Sequence, residues 1–176
     1  MKLWEGPNGE MPESGCCTAS DSEDARKVAS KLDIPYYVLD YTESFSKNVV
    51  DNFTQMYAQG LTPNPCVECN RSVKFDHFIT QAKKLNCDKV ATGHYAKIIK
   101  KNNEFELHKA DYLDKDQSYV LHMLKSSDLE NISFPLGEIS KPEVRQIAAR
   151  IGLKTAFKKD SQDLSLIHIS EPTRHR

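Results

Sequence analysis

The segment Thr62-Pro63-Asn64-Pro65-Cys66-Val67-Glu68-Cys69-Asn70 concentrates the residue types best able to do chemistry in this chain. Two prolines stiffen it, and neither a helix interior nor a central strand accommodates them. Asn70 is expected to cap the helix that follows. Cys69 would then lie beside exposed backbone N–H groups, which favour an anion and lower a thiol pKa. A thiolate there is a candidate nucleophile, with Arg71 and Lys74 adding positive charge nearby. The Cys-x-x-Cys spacing is also half of a zinc site, which the adjacent pair Cys16-Cys17 could complete. With one further thiol it could hold an iron–sulfur cluster. Spacing alone leaves sulfur or redox chemistry, metal binding and neither of these open.

Three other segments carry suitable side chains. Ala91-Thr92-Gly93-His94-Tyr95-Ala96 falls at a strand end, where open α/β sheets bind ligands. Gly93 would let a ligand approach the backbone, and His94 could donate to a phosphate or a base. Standing alone, a tight turn with a surface histidine is the simpler reading. Lys115-Asp116-Gln117-Ser118-Tyr119 offers phosphate and base-edge contacts, or an ordinary helix start. Lys158-Lys159-Asp160-Ser161-Gln162-Asp163 reads as a polar loop. Cys87, beside a helix end, reads as structural.

The elements that must position these groups alternate in type. Ser20 with Glu23 suggests a capping box, followed by Ala25, Val28, Ala29 and Leu32 at helical spacing. Ile34–Tyr41 has strand composition. Phe45, Val49, Phe53, Met56 and Tyr57 form one stripe of a second helix, stopped by Gly60. Val73, Phe78, Ile79, Ala82 and Leu85 form the next stripe. Lys89–Thr92 is a short strand. Tyr95–Ile99 and Phe105–His108 flank a Lys-Lys-Asn-Asn turn and predict a hairpin. Gln117–Leu124 reads as a helix. Ser140 and Glu143 form a capping box for a helix that Gly152 closes. Such alternation points to an α/β fold around a parallel sheet.

Composition bounds the rest. The chain has 176 residues, 39 % hydrophobic and 28 % charged, which excludes disorder and leaves room for one substantial core. No run of 18 apolar residues is present, so no membrane partner is expected. The opening residues lack a signal-peptide stretch, so a reducing cytoplasmic setting is expected for the five cysteines. Residues 1–70 carry −6 and residues 71–110 carry +5, a basic middle that suits a phosphate-bearing partner or a solvated face.

In order along the chain, the matching motifs resemble one family, the tRNA-specific 2-thiouridylases of bacteria and mitochondria. They are Gly15-Cys16-Cys17-Thr18, Asp24-Ala25-Arg26, Ile34-Pro35-Tyr36-Tyr37, Gly60-x-Thr62-Pro63-Asn64-Pro65-Cys66-x-x-Cys69-Asn70, Lys74-Phe75, Ala91-Thr92-Gly93-His94-Tyr95-Ala96, Lys115-Asp116-Gln117-Ser118-Tyr119, Phe134-Pro135-Leu136-Gly137, Lys141-Pro142-Glu143-Val144-Arg145 and Lys159-Asp160-Ser161. The resemblance implies a Rossmann-like adenine-nucleotide α-hydrolase (PP-loop ATPase) domain over residues 1–163. It also implies that the first strand–helix–strand unit, with its Ser-Gly-Gly-x-Asp-Ser phosphate loop, is missing. Residues up to 163 would include the start of a linker to a central domain that is also missing, so a fragment inactive and poorly soluble by itself is expected. Residues 164–176 resemble an in-frame translation of a sequencing-library adapter, and His168 and His175 are expected to carry no chemistry.

The resemblance further implies site roles. Cys69 matches the first catalytic cysteine. Met1 and Gly93 match ATP-contacting positions. Asn64, Pro65 and Cys66 match the loop that meets the target base. His94, Lys115, Asp116 and Gln117 match tRNA-contacting positions. The implied activity is tRNA-uridine 2-sulfurtransfer, with ATP and Mg²⁺, a tRNA anticodon loop and a persulfide sulfur-donor protein. A disulfide between Cys69 and a second cysteine belongs to that chemistry. Some family members carry Asp at the Cys66 position, so its presence here keeps a [4Fe-4S] cluster on Cys66 and Cys69 open. A zinc or iron–sulfur module and another PP-loop ATP pyrophosphatase are the alternatives.

Overall fold

The computed structural model describes residues 1–3 and 18–158, which fall into two units, Met1–Cys69 and Asn70–Lys158. Cys16, Cys17, the motif Lys159-Asp160-Ser161 and the tail 164–176 lie outside the described residues.

In the first unit, helix α1 (Ala19–Lys31) starts two residues earlier than Ser20 and Glu23 suggest. Thr18 is the cap. Its hydroxyl accepts the Asp21 N–H at 3.1 Å, and the Asp21 carboxylate accepts from the Thr18 N–H at 3.1 Å. Glu23 is occupied elsewhere, in a two-bond pair with Arg26. The Ile34–Tyr41 segment is extended but pairs only at Asp40, in a parallel bridge to Lys2. Tyr36 instead ties the segment to α1, donating to the Ser22 carbonyl at 2.9 Å. Strand composition supplies no ladder partner, and among the described residues only Lys2 provides one.

The second helix is interrupted. Helix α2 (Thr42–Phe45) runs through a π turn (Ser46–Val50) into α3 (Asp51–Ala58). The wide turn inserts a residue and rotates the downstream face by on the order of 100°. Phe45 and Val49 therefore stay buried, whereas Tyr57, expected on the same stripe, is 69 % exposed and stacks on Phe53. Gly60, at φ +77°, ends this helical stretch as expected.

In the second unit, Val90 and Ala91 (β1) pair in parallel with Ile132 and Ser133 (β4). Strands β2 (Ala96–Lys101) and β3 (Glu104–Lys109) form the expected antiparallel hairpin. Its two-residue turn is Asn102-Asn103, both at positive φ, as a type I′ turn demands. Helix α5 (Asp76–Lys84) precedes β1, and α6 (Ser126–Leu129) precedes β4. The Ser140–Glu143 capping box opens α7 (Lys141–Arg150), with Gly152 at φ +72° beyond it. Parallel pairing together with these helices gives the expected α/β class. Gln117–Leu124 is not the expected helix. Only Ser118–Val120 forms a 3₁₀ turn. The Gln117 backbone and side chain both bond to Tyr95, which takes the place of helical partners. No helix among the described residues is long and apolar enough to cross a membrane.

Val73, Phe75, Ala96 and Leu121 are the fully buried centre of this unit. Gly137 touches it from the Phe134–Gly137 turn, where its carbonyl accepts the Asp111 N–H at 2.9 Å. A Cβ added at Gly137 would overlap the Ala96 carbonyl oxygen and lie 2.7 Å from Lys97 Cγ. Replacement of Gly137 by Ala should therefore cost about 2–3 kcal/mol of unfolding free energy, because backbone cannot yield as a side-chain tip can. Gly60→Ala, with open space but a left-handed backbone, should cost about 1 kcal/mol. Urea denaturation of the two variants beside the wild type checks the ranking, and equal midpoints would refute it.

Candidate functional site

The first unit holds Met1, Asn64, Pro65, Cys66 and Cys69; the second holds Gly93, His94, Lys115, Asp116 and Gln117. Met1 is half-buried and immediately precedes the Lys2 bridge.

The cysteine segment starts its helix at Pro65, five residues before the expected cap. Asn64 is the cap of α4 (Pro65–Glu68), and its side-chain oxygen accepts from Cys66 N–H at 3.0 Å and Val67 N–H at 3.3 Å. Pro65 occupies the first helical position, where its missing N–H costs nothing. Asn70 is thus not a cap. It is buried within the π turn Cys69–Phe75, and its amide donates to the Val120 carbonyl at 3.3 Å. The correction matters for the thiols. The first-turn position belongs to half-buried Cys66, and its backbone donors are already taken by Asn64, whereas Cys69 lies a full turn further on and is 4 % exposed. Cys66, Cys69 and Cys87 form no disulfide among the described residues. No group of three or more His, Cys, Asp or Glu side chains among those residues could hold a metal ion.

The second unit builds a histidine slot. Thr92 extends the β1–β4 pairing by one bond, its N–H donating to the Ser133 carbonyl at 3.1 Å. His94 follows two residues later, with Nδ1 2.8 Å from the Thr92 hydroxyl. Its ring lies 5.9 Å from Phe75 and 6.0 Å from Phe134, which themselves meet edge-to-face at 6.1 Å. Burial pushes the imidazole pKa down to about 4, with the Lys74 ammonium adding to the shift. His94 is therefore a neutral hydrogen-bonding ring at physiological pH rather than a cationic phosphate clamp. Gly93 requires neither a left-handed backbone nor tight packing. A Cβ there would meet only Leu136 Cδ1, at 3.8 Å, so space remains beside its backbone.

Lys115-Asp116-Gln117 divides by role. Asp116 accepts from the Ala110 N–H at 2.8 Å and from the Ser118 hydroxyl at 2.7 Å. Gln117 accepts the Tyr95 N–H at 3.1 Å, while its own N–H donates to the Tyr95 carbonyl at 2.8 Å. Gln117 ties the loop to Tyr95, just before β2, and Asp116 ties it to Ala110, just past β3, while Lys115 is the exposed member. A separate cavity of about 280 Å³, lined by Lys89, Lys97, Phe105, Ser133, Phe134 and Glu138 among others, contains none of the expected site residues. Thr92, Phe75 and Phe134 escape sequence reasoning because their relevance lies in where β1 and β4 end. Only the Thr92–His94 spacing hints at it.

A neutral buried histidine makes stability pH-dependent. Between its ordinary 6.5 and about 4, the unfolded chain binds the proton and the folded chain resists it. Folding stability should fall as pH drops through that window, by at most about 3 kcal/mol from this group. In His94→Phe the loss of stability between pH 7 and pH 4.5 should be smaller than in the wild type, and parallel curves would contradict the assignment.

The family model described as the tRNA methyl transferase HUP domain matches residues 1–169. A Clostridium perfringens protein named tRNA-specific 2-thiouridylase MnmA is 46 % identical over 168 residues, 95 % of this chain and 47 % of its own length. Proteins of the same name from Chloroflexus aurantiacus and Clostridium botulinum are 45 % identical over 168 residues, 95 % of this chain and 47 % and 46 % of their own lengths. The chain thus spans about half the length of the curated relatives it matches. Both the family match and these identities extend over nearly all of its residues, and the chain belongs to the tRNA methyl transferase HUP domain family.

Proposed function

We propose that this chain is the ATP- and base-handling part of a tRNA 2-thiouridylase, an enzyme that exchanges the C2 oxygen of the wobble uridine for sulfur. The observation that carries this reading is the 45–46 % identity to proteins of that name over 95 % of the chain. The Asn64-capped cysteine segment and the space beside Gly93 support it.

The chemistry requires activation first, because the C2 oxygen of uridine is a poor leaving group. That oxygen attacks the α-phosphorus of ATP and pyrophosphate departs. The terminal sulfur of a cysteine persulfide then attacks C2 and expels AMP. Cys69, as thiolate, attacks the inner sulfur of the bound disulfane, forming a disulfide with the persulfide-carrying cysteine and releasing 2-thiouridine. Two electrons pass from Cys69 and its partner thiol to the transferred sulfur, so the step balances. The partner thiol and a persulfide-donor protein are required by this scheme. Mg²⁺ would neutralise the triphosphate and the departing pyrophosphate, held largely by phosphate oxygens and water as is usual for this ion.

The chain's own residues have distinct tasks. Met1 and the Gly93 backbone would border the adenine nucleotide. Asn64, Pro65 and Cys66 would meet the target base. Lys115 would meet a backbone phosphate, while Asp116 and Gln117 hold its loop. His94, being neutral, would exchange a single hydrogen bond with the nucleotide or the RNA. An unpaired anticodon loop gives up its base at little cost. The reading places the protein in the cytoplasm, where tRNA is modified. An iron–sulfur or zinc module on Cys66 and Cys69 remains the second reading, and it needs a third ligand from outside the described residues.

The test places residues 1–163 of this chain in the Clostridium perfringens relative in place of the matching segment, so that everything after that point is the relative's own. With ATP, Mg²⁺, tRNA and a persulfide donor, the chimera should make 2-thiouridine, read by mercury-gel retardation of the tRNA. Cys69→Ser should lower the rate on the order of 10³-fold or more. A fully active variant would remove Cys69 from the mechanism, and stoichiometric iron in anaerobically purified protein would favour the second reading.

A further inference from the structure

We propose that Thr92 is a positioning residue which holds His94 as the neutral tautomer protonated on Nε2, so that the ring offers the bound substrate a hydrogen-bond donor. Such a donor fits a carbonyl or phosphoryl oxygen. The inference deepens the proposed function and rests on it for the statement that His94 faces substrate.

The geometry carries the argument. Thr92 has little freedom to move, because its N–H is bonded to the Ser133 carbonyl at the end of the β1–β4 pairing. Among the described residues its hydroxyl has one partner, His94 Nδ1, at 2.8 Å. Phe75 and Phe134 pack against the imidazole from adjacent directions, the three ring centroids forming a nearly equilateral triangle, so turning the ring over would break the Thr92 bond and disturb that cluster. The ring is therefore fixed with Nδ1 toward Thr92, which leaves Nε2 as its other polar atom.

Two arrangements of protons satisfy that contact. In one, the hydroxyl donates to a lone pair on Nδ1, and the imidazole proton resides on Nε2. In the other, Nδ1–H donates to the hydroxyl, whose own proton then has no acceptor among the described residues. Imidazole nitrogen is a stronger acceptor than a hydroxyl oxygen, so the first arrangement makes the stronger bond and turns its remaining donor, Nε2–H, to the substrate, whereas the second leaves the hydroxyl proton without an acceptor among the described residues. Burial among the aromatic rings and the nearby Lys74 ammonium both disfavour a second proton, which keeps the ring from becoming a two-donor cation. Orienting a histidine by bonding its other nitrogen is a general device in functional sites.

The first arm uses the chain labelled with ¹⁵N and ¹³C in histidine. Long-range ¹⁵N–¹H correlation spectra distinguish the two neutral tautomers, and the His94 signals are assigned by their loss in His94→Phe. At pH 7 the wild type should show the Nε2–H pattern. Thr92→Val should shift His94 toward a tautomer mixture, and Thr92→Ser should restore the wild-type pattern. A wild-type spectrum showing Nδ1–H would overturn the proposal even if Thr92→Val does not fold. So would a folded Thr92→Val whose pattern is unchanged.

The second arm measures thiolation in the chimera. Thr92→Val should slow it about 10-fold, with Thr92→Ser close to wild type. Nε2–H spectra with no thiolation by the wild-type chimera would overturn the assigned activity and sustain the tautomer. Active wild type with the wrong tautomer would overturn the Thr92 role alone.

Discussion

Two backbone hydrogen bonds hold the second unit's chemistry in place. Val90 N–H bonds to the Asn131 carbonyl at 2.8 Å, and Thr92 N–H to the Ser133 carbonyl at 3.1 Å. They align β1 with β4 in parallel, so both strands end at one level and the chain leaves each in the same direction. His94 follows one end and Phe134 the other, which is why rings 40 positions apart meet at 6.0 Å. Phe75, buried at the end of the π turn, completes the cluster from the helical side. Without the pairing there is no slot, no desolvated imidazole and no oriented nitrogen. Ligand sites at the carboxyl ends of parallel strands arise because side chains converge there beyond the last ladder bond.

The same unit spends several of its polar side chains on architecture. Asp116 and Gln117 have the composition of a nucleic-acid contact, yet their oxygens accept from Ala110, Ser118 and Tyr95. Such bonds hold an irregular loop against a hairpin strand, and an irregular loop has few other ways to satisfy its backbone. Asn70 acts alike from the π turn, its amide reaching the Val120 carbonyl. A residue type suited to recognition is equally suited to this internal work, and the distinction lies in what its atoms touch. Lys115, exposed on the clamped loop, is the member that such an arrangement presents outward.

Local rules were legible wherever both partners of an interaction are close in sequence. The Ser140–Glu143 box, the Asn102-Asn103 turn, the Gly60 and Gly152 helix ends and the Val90-Ala91 strand all depend on a few adjacent residues. Where two local signals competed, the reading slipped. Thr18 with Asp21 prevailed over Ser20 with Glu23 because Glu23 pairs with Arg26. Asn64 prevailed over Asn70 because Pro65 is suited to a first helical turn, and the cap moved Cys69 from a helix end to a buried position. The stripe through Phe45 and Tyr57 broke at a π turn, which leaves no periodic signature in advance.

The amino-acid sequence determined the α/β class, the family and the identities of the cysteine, histidine and lysine segments, because composition, order and spacing are properties of the chain itself. Tertiary structure decided which thiol occupies the first helical turn, that His94 is neutral and packed against two phenylalanines, and that Asp116 and Gln117 serve as clamps. Each of those outcomes depends on a hydrogen bond, a ring contact or a loss of water between residues distant along the chain, or on which of two caps closes a helix. Sequence spacing does not encode such proximity until strands pair and helices pack.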